Sequence, residues 1–171
     1  YPPWGCGATA AKEGPDGRSG LNRSQLAWEI CMTGSYQTTG ETAEYGTGAG
    51  EDTGGGWING RGNLKMTMLK YYKILKDAFE RTQYWNLSPR NDLISFGNLC
   101  LANEGQEYLI YTRVQHCRIK LPAGQKYAVT MINPRTGTVT QLPDADSDVD
   151  NRAWQYRKNL EANTVFLWKR K

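Results

Sequence analysis

Glycine is the residue that most limits what this chain can become. Fifteen of its nineteen glycines fall within residues 1–62. Glycine loses more backbone freedom on ordering than any other residue, so so rich a segment is built largely of loops. Two stretches near it read as helices. "NRSQLAWEICMTG" opens on a capping Asn22 or Ser24 and stops at Gly34, a good left-handed residue just past a helix end. Leu26, Trp28, Ile30, Cys31 and Met32 make it mostly apolar, which predicts burial. "NLKMTMLKYYKILKDAFE" starts at Asn63 and repeats Leu64, Met68, Tyr72, Leu75 and Phe79 at spacings of three and four, opposite Lys65, Lys70, Lys73, Lys76 and Asp77. That is the pattern of an amphipathic surface helix of about 17 residues. Between the two, "SYQTTG" reads as a short strand ending at Gly40. Helix, strand, long loop and helix make part of an α/β architecture, but one strand cannot bury the faces of two helices.

After "RTQYWNLSPRN" the period changes. "LISFGNLCLA", "EYLIYTR", "CRIKL", "KYAVTMIN", "TVTQL" and "TVFLWKR" are short and rich in β-branched and aromatic residues. Turn signals separate them: Asn103-Glu104-Gly105, Pro122-Ala123-Gly124 and Asn133-Pro134-Arg135-Thr136-Gly137. Short strands so spaced predict an antiparallel sandwich or barrel. The expected fold class is therefore α+β, with a boundary near Asn91 dividing residues 1–90 from a β-sandwich over 91–171 that folds independently. In the last turn Pro134 presets φ, Gly137 supplies a positive φ and the Asn133 side chain caps the backbone. Arg135 either folds back on a carbonyl or acidic neighbour or contacts a ligand.

Charge and cysteine use exclude several classes. The net charge is +4, but residues 91–171 are neutral once the terminal Lys169-Arg170-Lys171 is set aside. With no basic stripe, nucleic acid is not an expected partner. No apolar run approaches the roughly 18 residues that span a bilayer, so no membrane partner is expected. The chain opens on Tyr1-Pro2-Pro3-Trp4 with neither an initiating Met nor a signal peptide, as a piece of a longer protein or a processed product would. Cys6, Cys31, Cys100 and Cys117 form no C-x-x-C pair, and the only histidine, His116, adjoins Cys117 alone, so a structural zinc is not expected. Cys100 and Cys117 lie in neighbouring predicted strands, either bridged or as buried free thiols. "EYGTGAGEDTGGGWINGRG" lacks the G-K-[ST] of a phosphate loop, and Glu51 and Asp52 would repel phosphate. Asp144, Asp146, Asp148 and Asp150 alternate as calcium ligands do, but Val149 replaces the turn glycine and Gln155 the bidentate glutamate. A solvated acidic loop is expected there, with calcium at Asp144, Asp146 and Asp148 as the alternative. Asn22-Arg23-Ser24 and Asn86-Leu87-Ser88 match glycosylation sequons.

Taken in order, these stretches resemble a known pairing of domains. "YLIYTR", "IKLPAGQKYAVTMINPRTG" and "NTVFLWKR" resemble the small β-sandwich named as the collagen-binding domain of a collagenase. That module often follows an apiosidase-like (β/α)8 glycoside hydrolase domain. "LNRSQLAWEICMTGSYQTTGE" resembles the end of such a barrel, "SYQTTG" its eighth strand and "LKYYKILKDAFE" its eighth helix, while "YWNLSP" is like the Trp-x-x-Leu-x-Pro leading into the sandwich. Thr39 stands where the family often has Tyr, and residues 46–62 and 144–150 look like insertions.

The resemblance implies the last βα elements of a barrel followed by a small antiparallel sandwich, in a secreted or periplasmic glycoside hydrolase acting on a polysaccharide or oligosaccharide. No cofactor is implied. Retaining glycosidases use two carboxyl groups about 5–5.5 Å apart. The resemblance places them at the ends of strands four and seven, in a barrel portion missing ahead of Tyr1, so this chain is expected to lack both. Trp4, Tyr45 and Trp57 would lie in glycine-rich loops at the barrel's C-terminal face, where aromatic rings either stack on sugars or pin the long loops to the core. Glu41 and Glu44 would hydrogen-bond sugar hydroxyls, with a catalytic role for Glu41, paired with Glu44, as the weaker alternative. The alternative is a non-catalytic module that binds carbohydrate or matrix protein.

Overall fold

A computed structural model describes residues 20–37, 67–147, 154–156 and 163–171. The chain separates into two compact units, Tyr1–Trp28 with Tyr36–Leu75, and Glu29–Ser35 with Lys76–Lys171. Helix α1 spans Gly20–Cys31 and α2 spans Thr67–Glu80. The first begins ahead of Asn22 and Ser24, so neither caps it as expected; both lie inside the helix. Its end is as the sequence predicts. Gly34 adopts φ +80° and its N–H bonds the Cys31 carbonyl at 3.0 Å. A side chain there would also meet Pro89, whose Cγ would lie 3.2 Å from the added Cβ. Ser35–Gln37 carries no strand, which corrects the reading of "SYQTTG" over its described part; no partner strand pairs with it there. Instead the Gln37 Nε2 donates to the Tyr72 hydroxyl at 2.8 Å. Along α2, Ile74, Leu75 and Ala78 are buried while Lys70, Lys73 and Lys76 are exposed, the two faces its pattern requires.

Among the described residues eight strands follow: β1 (Ser88–Pro89), β2 (Leu99–Asn103), β3 (Glu107–Thr112), β4 (Cys117–Ile119), β5 (Lys126–Ile132), β6 (Val139–Asp146), β7 (Trp154–Tyr156) and β8 (Thr164–Arg170). Six form one antiparallel sheet in the order β1-β2-β3-β8-β5-β6, and β4 pairs with β7. "LISFGNLCLA" is not one strand. A 3-10 turn covers Asn91–Leu93, Ile94 makes a single bridge to Ile119, and pairing resumes only at Leu99. Gly97, at φ +88°, turns the chain between them. Strand β6 runs beyond "TVTQL" through Asp146, so the start of the expected acidic loop is strand. Pro143 has no N–H to give a ladder, and β6 tolerates it as an edge strand. Opposite Ala128 the ladder steps from Tyr127–Ala145 to Val129–Leu142, leaving Pro143 and Asp144 against a single residue in a bulge.

The register explains the core. Across β2, β3, β8 and β5, one face aligns Cys100, Ile110, Phe166 and Met131, then Ala102, Tyr108, Trp168 and Val129. This face packs with Cys117 and Ile119 of β4 and with Leu93 and Leu121. The other face aligns Leu101, Leu109 and Leu167, then Tyr111, Val165 and Ile132, and these are buried too. All six residues of β3 are buried. An antiparallel sheet with a free outer face alternates polar and apolar residues, and β3 and β8 do not.

Candidate functional site

Trp4, Glu41, Glu44, Tyr45, Trp57 and Asp148 lie outside the described residues. Asp144 and Asp146 lie within them, two residues apart near the end of β6. Lysines meet both carboxylates. Lys171 Nζ donates to Asp144 Oδ2, and Lys126 Nζ stands 4.0 Å from Asp144 and 3.9 Å from Asp146. Among the described residues no three His, Cys, Asp or Glu side chains gather as a metal site would need.

Cys100 and Cys117 are free thiols, buried in one cluster. The loop before β2 holds their strands together, with Asn98 Nδ2 donating to the His116 carbonyl at 3.0 Å and Ser95 N–H to the Arg118 carbonyl at 2.8 Å. Burial pushes the Cys117 thiol up to about 12 and raises that of Cys100 further. Neither is a nucleophile at neutral pH. His116 is exposed just ahead of β4.

The Asn133–Gly137 turn joins β5 to β6 as an Asx turn. Asn133 Oδ1 accepts the Arg135 N–H at 2.8 Å and the Thr136 N–H at 3.2 Å. Gly137, at φ +77°, gives its N–H to the Asn133 carbonyl at 2.8 Å. Pro134 is buried and Arg135 exposed. Backbone geometry thus accounts for Asn133, Pro134 and Gly137, but the arginine does not fold back onto a carbonyl.

One surface cluster escaped the sequence reading. Tyr84 and Trp85 stand on a 3-10 turn, Tyr84–Asn86, between α2 and β1. Tyr84 is 46% and Trp85 68% exposed, and their rings meet edge to face, with centroids 5.2 Å apart and planes at 75°. The turn is closed by Asn86 N–H to the Gln83 carbonyl at 2.8 Å and Leu87 N–H to the Tyr84 carbonyl at 3.1 Å. It is anchored through Gln83, whose N–H donates at 2.8 Å to the carboxylate of Glu107. Glu107 is buried at the start of β3 and its other oxygen lies 3.1 Å from Lys169 Nζ. The available signal was two adjacent aromatics in a segment, residues 82–88, that has no charge and fits neither a helical nor a strand period. Phe96, fully exposed beside Gly97, is a further isolated ring.

No protein-family model matches the chain, and no curated protein matches it. Its arrangement is similar to that of a glycoside hydrolase family 5 structure from Bacteroides vulgatus, at a TM-score of 0.62 and 13% identity, over 88% of this chain and 36% of that one. A second glycoside hydrolase structure matches at a TM-score of 0.61 and 13% identity, again over 88% and 36% of the two chains. The fold is glycoside-hydrolase-like. The chain spans 36% of the length of these structures. At such identity the likeness concerns architecture alone. It bears on the mixed α+β organisation, with two helices and a six-stranded antiparallel sheet among the described residues.

Proposed function

We propose that this chain is the C-terminal part of a secreted glycoside hydrolase of the apiosidase-like kind, acting on a plant or microbial polysaccharide. Residues 1–90 belong to its barrel, save that β1 (Ser88–Pro89) joins the sheet edge, and residues 91–171 to the sheet that supports it. The observation that carries this reading is the sheet buried on both faces. A free-standing binding sandwich needs only its inner faces apolar. Here Leu101, Leu109, Tyr111, Val165 and Leu167 form a second buried layer, as an integral structural sheet requires. The catalytic carboxylates then lie in barrel strands beyond this chain, while Trp4, Tyr45, Trp57, Glu41 and Glu44 contribute to the sugar-binding rim.

Two measurements test it. Against the independent folding that the strand pattern alone suggests, residues 91–171 expressed alone should expose the second apolar layer and bind ANS strongly, with no sharp unfolding transition. A cooperatively folding fragment that binds no ANS would favour the second reading, a non-catalytic module for carbohydrate or matrix protein. That second reading draws support from the exposed rings of Tyr84, Trp85 and Phe96. The 171-residue chain should turn over no aryl glycoside, whereas the longer gene product should. Turnover by the chain itself, abolished by Glu41→Gln, would put the catalytic centre inside it.

A further inference from the structure

We propose that Tyr84 and Trp85 form a carbohydrate-binding corner, which takes the face of a neutral sugar unit of a polymer. This rests on the glycoside hydrolase reading above and names a place where such a protein would hold its substrate chain. Three properties of the turn lead there. The first is shape: two rings at 75° with centroids 5.2 Å apart form a floor and a wall. A sugar ring has an apolar C–H face and a rim of hydroxyls, so it can lie on one ring and abut the other. Sites for such ligands pair aromatic surface with a few polar groups that fix orientation.

The second property is the polar rim. The side-chain amides of Gln83 and Asn86 are exposed and linked by one long hydrogen bond, 3.3 Å from Asn86 Nδ2 to Gln83 Oε1. Each can exchange that bond for a sugar hydroxyl. Residues 82–88 include no charged side chain. A uronate or sulfated sugar would find no cation within the turn itself. Of the flanking arginines, Arg90 is held by Asp92 and Glu104 while Arg81 is exposed. The turn's own chemistry therefore favours a neutral polymer.

The third property is rigidity. The exposed rings are not a fraying loop, because the turn is closed by its own backbone bonds and fastened to the buried carboxylate of Glu107, which the exposed Lys169 pairs from outside. Holding the backbone beneath both rings in place before binding removes an ordering cost that a mobile loop would meet. Neither ring belongs to the buried core, so the fold itself does not require them to be aromatic. Phe96, for all its exposure, has no second ring beside it and makes no such corner.

Affinity gel electrophoresis tests the site, with the 171-residue chain run through gels holding soluble xylan, arabinan, galactan or mixed-linkage β-glucan. At least one should retard the parent. Trp85→Ala should weaken that retardation about tenfold or more, equivalent to about 1.4 kcal/mol. Trp85→Phe should keep most of it, and Phe96→Ala all of it. Denaturation midpoints of all variants should match the parent, since these rings lie outside the core. Retardation that survives Trp85→Ala would overturn the subsite while leaving polysaccharide recognition in place. Retention only by polygalacturonate, or only by gelatin, would overturn the neutral-sugar assignment. No retardation in any gel would overturn the subsite, whereas the hydrolase reading would still stand or fall on turnover by the longer gene product.

Discussion

Strands β3 and β6 belong to one sheet, yet they obey different rules. Every residue of β3 is buried, while in β6 only Ala145 is. β3 lies between two neighbours and carries apolar residues on both faces. Among the described residues β6 pairs with β5 alone, and it holds a proline, a bulge and two aspartates. The centre is specified by side chains, and its edge by backbone conformation. A row such as Cys100, Ile110, Phe166 and Met131 fixes register because a slip of one residue would send every member to the opposite face. At the edge, the Asx turn at Asn133 and the bulge opposite Ala128 set the register with little help from packing.

The largest test of this contrast is truncation in the two places. Phe166→Ala should destabilise by about 3–5 kcal/mol, because the cavity lies in a close-packed row. Thr140→Ala on β6 should stay within about 0.5 kcal/mol. Denaturant unfolding of both variants measures the ratio; comparable losses would show that the edge is packed as tightly as the centre.

Alkaline pH provides a second test at the centre. Burial holds the Cys100 and Cys117 thiols neutral, with Cys117 raised to about 12. In the unfolded chain they ionise near 8.5. Between those values the unfolded state binds fewer protons, so stability is flat below about pH 8.5 and falls as pH rises above it. By pH 9.5 the loss should be about 1.4 kcal/mol for each thiol, and Cys→Ser variants should flatten the slope. Native protein at pH 8 should leave both thiols unreactive to a disulfide reagent until it unfolds. Rapid labelling of either would contradict their burial.

The smallest effects belong to the edge turn, and there the two variants should differ. Gly137→Val forces a β-branched residue to φ +77° and should destabilise by about 1–3 kcal/mol. Arg135→Ala should change stability by no more than about 0.5 kcal/mol, since the arginine is exposed. If Arg135→Ala destabilised as much as Gly137→Val, the guanidinium would be a structural member of the hairpin.

The same contrast governs what could be read beforehand. Strands β3, β5 and β8 were legible because their runs hold continuous apolar stretches such as "YLIY" and "VFLW", and the turns between strands because Pro, Gly and Asn favour particular φ values. Their apolar continuity also held an unread message, that both faces of the sheet are buried. The three residues of β7 and two of β1 were not legible, because so short a pairing depends on where another strand happens to lie. "LISFGNLCLA" misled because its apolar content is real while Gly97 breaks its geometry. For the site, every aromatic and glutamate singled out at the barrel rim falls outside the described residues. Tyr84 and Trp85 passed as connector because their exposure depends on the neighbouring strands, which no local pattern encodes.

The strand order has a further consequence, for how the protein is made. β8 lies in the middle of the sheet, between β3 and β5, yet it follows every other strand in the chain. Thr112 and Thr164, joined through hydroxyl and carbonyl across that seam, are 52 residues apart. As the polypeptide leaves the ribosome, β1-β2-β3 and β5-β6 emerge as two half-sheets, each with an unpaired margin able to capture a strand from elsewhere. Nothing local can join them until β8 arrives. A translation pause ahead of Thr164 would prolong that vulnerable interval, and a chaperone that shields strand margins would be needed most then.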